Sequence, residues 1–371
     1  MLVAAMLAVS LLAGCSATQV PSAPATPTTL TTAQQGAASR STSQATTAAT
    51  TTTTSTTASA TAQNIVYDTS AAISYAVGPE PTNWDIHAAG ASSWYLTLEQ
   101  VLAQVWPSAF AVGANGTPTL NTTLLTSAAE VNTDPPTVVY EINPRAVWSD
   151  GTPITYADFV YNWEAQSGRG AFRDAGGAPY TPLEKAGYDD ISSVKEAPGD
   201  PYTVRVTFSS PYPDWQSLFS YLMPAHIGRS IGFNSGFTDP VADLVSGGPF
   251  MVSELQPGYS LELVRNARYW GSPANLSAVT YYFMSGQAEA INALSQGELD
   301  VAQLEAEPTD FKQLQAAGSL SVRAVASNYY EDLDFNETGA MLSSPALREA
   351  IMMALDRGGM ATELLGSYGL A

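Results

Sequence analysis

Apolar and polar residues alternate over 72–77 and again over 203–208, which predicts two half-buried strands. Over 96–106 the apolar positions Leu98, Val101, Leu102 and Val105 recur at helical spacing, and the pattern stops before Pro107, which predicts an inward-facing helix. Further strands are expected at 138–142, at 246–252 and 256–266 around Pro257-Gly258, and at 278–283, 300–302 and 332–335. Order should begin near 65–67. A helix is expected over 288–296, stopped by Gly297, and a last one from Ser344 with Pro345 at its first position and Leu347, Ile351, Ala354 and Leu355 as its buried stripe. Loops fall at 78–85, rich in breakers, and at 168–187, where Gly, Pro and Ala predict a long surface excursion. Strands and helices mix without a strict βαβ rhythm, so the class is α/β in the mixed, α+β sense.

The best-specified stretch is Trp148 to Trp163, Trp-Ser-Asp-Gly-Thr-Pro-Ile-Thr-Tyr-Ala-Asp-Phe-Val-Tyr-Asn-Trp. Asp150, Gly151 and Pro153 supply turn chemistry, and Thr155 with Asp158 three residues later forms a capping box for a helix that packs inward through Phe159, Val160 and Trp163. Asp150 and Asp158 admit two readings, a catalytic carboxylate pair or a turn residue and a helix cap; the second is expected, since isolated acids are common at both places.

The N-terminal pattern differs from the rest. Residues 1–14 are an apolar run ending in Leu11-Leu12-Ala13-Gly14 before Cys15, too short to span a bilayer as a helix. It resembles a bacterial lipoprotein signal, in which the cysteine is lipidated and becomes the new N-terminus, although no Lys or Arg precedes the run. From 16 to 63 the chain is almost entirely Thr, Ala, Ser, Gln and Pro with Arg40 its only charge, a composition that cannot bury enough surface to order itself, so a disordered tether is expected.

A net charge of −20 over 371 residues argues against nucleic acid or an anionic membrane surface as a partner. Only 13% of residues are charged and 18 are Tyr, which suits an extracellular protein with small-molecule or carbohydrate sites. Cys15 is the single cysteine and His87 and His226 the only histidines, so neither an internal disulfide nor a cysteine- or histidine-rich metal site is expected, and no cofactor is predicted. The Gly-x-Ser-x-Gly, phosphate-loop and dinucleotide-binding patterns are absent, and Gly176-Gly177 and Gly247-Gly248 read as turn elements. A glycosidase needs only two carboxylates and an aromatic-lined cleft, and Glu80, Asp85, Asp150 and Glu331 with Trp84, Trp148 and Tyr330 supply candidates without selecting a pair.

Taken together, five ordered blocks resemble the family 5 extracellular solute-binding proteins, the peptide, oligopeptide and nickel receptors of ABC importers. They are Trp148 to Pro153 with Ala157 to Tyr161; Gly248-Pro249-Phe250; Leu263 to Asn266 with Tyr269-Trp270; Gly297 to Val301; and Leu347 to Ile351 with Ala354 to Arg357. The resemblance implies a periplasmic-binding-protein-like type II fold of two lobes that close on ligand. Members of the family are longer than this chain, so the first lobe and the crossover are expected here, with most of the second lobe missing. The domains expected are a signal peptide over 1–15, the tether over 16–63, lobe I over 64–326, and the hinge crossover with the start of lobe II over 327–371.

Matching segments of relatives line the cleft, which makes Glu80, Trp84, His87, Gly90, Ser92, Trp94, Asn328, Tyr329, Tyr330 and Glu331 the candidate ligand-binding residues. Trp84 and Ile86 depart from the residues usual in the family, and Tyr329 and Tyr330 alternate on a strand, so one of them faces the cleft. The function implied is a monomeric receptor, without catalysis, held outside the cytoplasm by lipid at Cys15, that captures a short peptide for the permease of an ABC importer. A sugar or a metal chelate is the alternative ligand, and a secreted glycosidase the alternative class.

Overall fold

The computed structural model describes residues 9–13, 70–113, 116–304, 308–316, 318, 320–324 and 333–366. Cys15, the expected tether, the expected start of order at 65–67 and the candidates Asn328, Tyr329, Tyr330 and Glu331 lie outside the described residues.

The first half of the chain runs β1 (Val9–Ala13), β2 (Ala72–Val77), α1 (Tyr95–Val105), β3 (Phe110–Val112), β4 (Pro118–Leu120), β5 (Leu125–Thr133), β6 (Pro136–Ile142), α2 (Tyr156–Gln166), β7 (Ile191–Ala197) and β8 (Asp200–Phe208). There follow α3 (Ala225–Ile231), α4 (Pro240–Asp243), β9 (Phe250–Gln256), β10 (Ser260–Arg265), β11 (Ala278–Phe283), α5 (Gln287–Gln296), β12 (Val301–Leu304), α6 (Pro308–Ala316), β13 (Leu320–Ala324), α7 (Pro345–Ala354) and α8 (Arg357–Leu365). This is a mixed α/β fold, as expected.

Among the described residues a seven-stranded sheet has the order β13-β1-β12-β2-β11-β10-β9, and a four-stranded antiparallel sheet the order β5-β6-β8-β7. In the larger sheet β9, β10 and β11 form an antiparallel meander, whereas β2 is parallel to both β11 and β12. Tyr75 lies opposite Tyr281 in that register, their rings 5.5 Å apart. The apolar run expected to be an export signal contributes β1, antiparallel to β12 and β13. A short continuous apolar run suits a strand paired on both edges as well as it suits a signal core.

The helix expected over 96–106 is α1, and Leu98, Val101, Leu102 and Val105 are all fully buried. Gly248 presses on its last turn, where an added Cβ would lie 2.2 Å from the Gln104 carbonyl oxygen. The opening of α2 is the expected capping box: Ala157 N–H donates to Thr155 Oγ1 at 3.3 Å, and Thr155 N–H to Asp158 Oδ2 at 2.9 Å. The turn before it also forms as read, with Thr152 N–H donating to Asp150 Oδ1 at 2.9 Å and Gly151 at φ 97°.

Four expectations need correction. Far from burying one face, α2 also buries Asp158, Tyr161, Asn162, Ala165 and Gln166, because it lies between the β7–β8 sheet and α3. The excursion over 168–187 is mostly exposed, as expected, but it is anchored at Asp174 and Tyr180, both buried; Phe233 N–H donates to Asp174 Oδ1 at 2.7 Å. No strand forms over 333–335. Ser344 precedes α7 without a side-chain cap, and the expected stripe is not buried: Leu347, Ile351 and Leu355 are half-exposed and Ala354 exposed. Periodicity identifies an apolar face but not whether a surface lies over it.

Candidate functional site

Because β2, β11 and β12 are parallel, their carboxyl ends at Val77, Phe283 and Leu304 share one edge of the sheet, where open α/β sheets bind ligands. The loop leaving β2 carries all the described candidate residues, and the structure separates them. Glu80 accepts a hydrogen bond from Gly258 N–H, tying the loop to the β9–β10 turn. Trp84 is 1% exposed, packs on Phe283 with ring centroids 6.3 Å apart, and donates its backbone N–H to the Phe237 carbonyl at 2.7 Å. It is a core residue here, since an indole at this position fills the interior rather than the cleft. Gly90 and Ser92 are exposed on the 3₁₀ turn Ala89–Trp94, and Trp94 is half-buried against the core.

Asp85, next to Trp84, is fully buried. Its Oδ1 accepts from His87 N–H at 2.8 Å, while Oδ2 has no partner among the described residues. Burial is the dominant cause that lifts its carboxyl to about 8, and Asp174 nearby adds to the effect, so the group is protonated at neutral pH. His87 shifts the other way: burial lowers it to about 4, so the ring is neutral. Its Nε2 lies 3.0 Å from the Tyr221 carbonyl oxygen, which only accepts, so Nε2 carries the proton.

This contact brings His87 into the wall of a cleft of about 760 Å³. Of the candidates among the described residues it alone lines that cleft. The remaining wall includes Tyr95 and Glu99 from α1, Tyr212, and the strap at 217–221. Phe219 and Tyr221 in the strap have φ of 58° and 46°, left-handed values that non-glycine residues hold at a cost of about 1 to 3 kcal/mol each. The surroundings over-determine them. Phe219 N–H donates to Tyr188 Oη at 2.7 Å, Tyr221 N–H to Ser108 Oγ at 2.9 Å, and Ala109 N–H to the Phe219 carbonyl at 3.0 Å.

Tyr95, Glu99 and Tyr221 were not among the sequence candidates. The signal for the first two was their position one turn apart on α1, flanking the buried stripe; for Tyr221 none exists, because its backbone conformation is imposed from outside. Among the described residues, the carboxylates considered for hydrolysis are engaged otherwise. Asp85 is buried and neutral, Asp150 bonds Thr152 N–H and lies 2.8 Å from His226 Nε2, and Asp158 closes its cap and accepts from Ala225 N–H at 2.9 Å.

Comparison with known proteins fits this geometry. The family model described as bacterial extracellular solute-binding proteins, family 5 Middle, matches residues 119–371. The probable monoacyl phosphatidylinositol tetramannoside-binding protein LpqW of Mycobacterium tuberculosis is 32% identical over 278 residues, 72% of this chain and 41% of that protein. The oligopeptide-binding protein OppA of Mycobacterium bovis is 33% identical over 277 residues, 71% of this chain and 43% of that protein. The chain thus spans about two fifths of the length of these relatives, 41% and 43%. Among solved structures, the periplasmic EDTA-binding protein EppA superposes with a TM-score of 0.65 at 30% identity, covering 81% of this chain and 56% of that one. The oligopeptide-binding protein AppA from Bacillus subtilis, in complex with a nonapeptide, superposes with a TM-score of 0.57 over 81% of this chain and 56% of that one; at 17% identity it shares the fold alone. With the family model matching well over half of its residues, the chain belongs to the bacterial extracellular solute-binding proteins of family 5.

Proposed function

We propose that this protein is an extracytoplasmic receptor that captures a short peptide and delivers it to the permease of an ABC importer, acting as a monomer and without catalysis. The observation that carries the reading is the family match over 119–371, and the 33% identity to an oligopeptide-binding protein favours a peptide among the family's solutes. The domain limits of 64–326 and 327–371 belong to this proposal, as does membrane attachment through lipid at Cys15, which the Leu-Leu-Ala-Gly-Cys sequence supports and which, by cleavage before Cys15, would remove β1 from between β12 and β13. Among the described residues no helix is long and apolar enough to cross a membrane.

A ligand that binds only the folded state stabilises it by about 2.7 kcal/mol at a hundredfold excess over Kd. A panel of di- to pentapeptides should therefore raise the melting temperature without being consumed. Release of product from a panel of glycosides, lost on changing Glu80, would replace the receptor reading with a hydrolase. A sugar-bearing or chelate ligand is the second reading, favoured by the mannoside-binding and EDTA-binding relatives; a mannoside or a metal chelate raising the melting temperature where no peptide does would establish it. Attachment is tested by radiolabelled palmitate in the expressing bacterium. Label on the wild type that is absent from Cys15→Ala is the expected result, and an unlabelled wild type removes the anchor from the proposal.

A further inference from the structure

The lining of the cleft beside α1 has a sign. None of its lining residues among the described ones is Lys or Arg, whereas Glu99 and Glu184 contribute carboxylates and Tyr95, Tyr212 and Tyr221 contribute rings. Glu184 is held ionised, because Ala186 and Lys185 N–H groups donate to its Oε1 at 2.8 and 2.6 Å and keep its carboxyl below the ordinary range. Glu99 is half-buried one helical turn from Tyr95, and the Tyr221 hydroxyl of the strap donates to its Oε1 at 3.4 Å. His87 adds no charge of its own, since its Nε2–H is committed to the Tyr221 carbonyl. The strained strap thereby holds an aromatic ring and a carboxylate side by side in a cleft of about 760 Å³, ample for one side chain and its backbone.

We propose that this cleft binds a positively charged group at the end of an apolar stem, an alkylammonium or guanidinium, with Glu99 as its counter-ion and the Tyr95 and Tyr221 rings against the stem. Rings favour cations over their faces, and a carboxylate in a half-desolvated wall favours a partner of opposite sign. The proposal rests on the receptor reading only for the source of the group, a basic side chain of a captured peptide rather than a free amine.

The test is titration calorimetry of the full chain with Ala-Lys-Ala, with its uncharged isostere Ala-norleucine-Ala, and with cadaverine as a free amine. The lysyl peptide should bind about tenfold more tightly than the norleucyl one. That ratio should shrink as salt is raised and collapse towards one in Glu99→Gln; Glu184→Gln, farther out on an exposed side chain, should reduce it about twofold. The salt series on the wild type gives the same answer should Glu99→Gln fail to fold. Equal affinity for the two peptides overturns the proposal and leaves the receptor reading standing. Cadaverine bound in a Glu99-dependent way, with neither peptide bound, upholds the proposal and overturns the peptide reading. No binding by any of the three overturns both.

Discussion

At the scale of single residues, the chemistry is set by burial more than by residue type. Asp85 sits fully buried beside Trp84, and desolvation disfavours its charged form, so its folded pKa of about 8 lies well above that of an unfolded carboxylate, ~3.9. Since folding raises this pKa, the carboxyl contributes stability in full below about pH 4 and loses it as pH rises through about 8. Asp85→Asn keeps an oxygen for the His87 N–H and abolishes that titration. Its stability relative to wild type, from urea midpoints, should improve by on the order of 4 kcal/mol between pH 5 and pH 8; a difference that does not change with pH would show that Asp85 is charged in the folded protein. His87, lowered to about 4, acts in the opposite sense, its contribution complete above the unfolded value of ~6.5 and lost as pH falls towards 4. Neither shift is legible in the sequence, where Asp85 reads as a loop acid among the glycosidase candidates and His87 as a ligand contact.

At the scale of elements, local signals and the folded result agree wherever the chain's own neighbours supply the interaction. The capping box at Thr155 and Asp158 is an example, and Thr155→Ala should cost about 1 kcal/mol in chemical denaturation. Close packing against a distant element is different. Gly248→Ala places a methyl group on the Gln104 carbonyl and should cost about 1 to 3 kcal/mol, more than any loss attributable to its turn alone. The strands at 138–142, 203–208 and 278–283 were readable because sequence pattern and alternating burial coincide in them, whereas in 72–77 burial rises towards Ala76 and Val77 without alternating. Strands β5 and β7 carry mostly polar, exposed residues and announce themselves only by pairing. The left-handed Phe219 and Tyr221 belong with these, since Tyr188, Ser108 and His87 hold them from other parts of the chain.

For the whole molecule, the two sheets and α1 to α3 enclose one large core, and a smaller cluster of Ala290, Ile291, Leu294, Phe311 and Leu314 covers β12. Among the described residues, the helices after β13 contribute no side chain to either cluster. Met341 is 73% and Met353 80% exposed. Apolar surface of this kind drives association, so replacing both methionines by Lys should lower light scattering and dye binding at high concentration while moving the unfolding midpoint by no more than about 0.5 kcal/mol. Unchanged scattering would locate the adhesive surface elsewhere.

The amino-acid sequence by itself determined the elements with strong periodicity, the turn and cap around Asp150 and Asp158, and, through five ordered blocks, the family. Those properties depend on residues close in the chain or on a pattern that survives as a linear text. Only the tertiary structure decided that Trp84 is core, that Asp85 is neutral, and that His87, Glu99 and Tyr221 meet in one cleft. Desolvation and backbone strain are properties of what surrounds a residue, and for these residues the surroundings arrive from up to 199 positions away, the separation between Trp84 and Phe283.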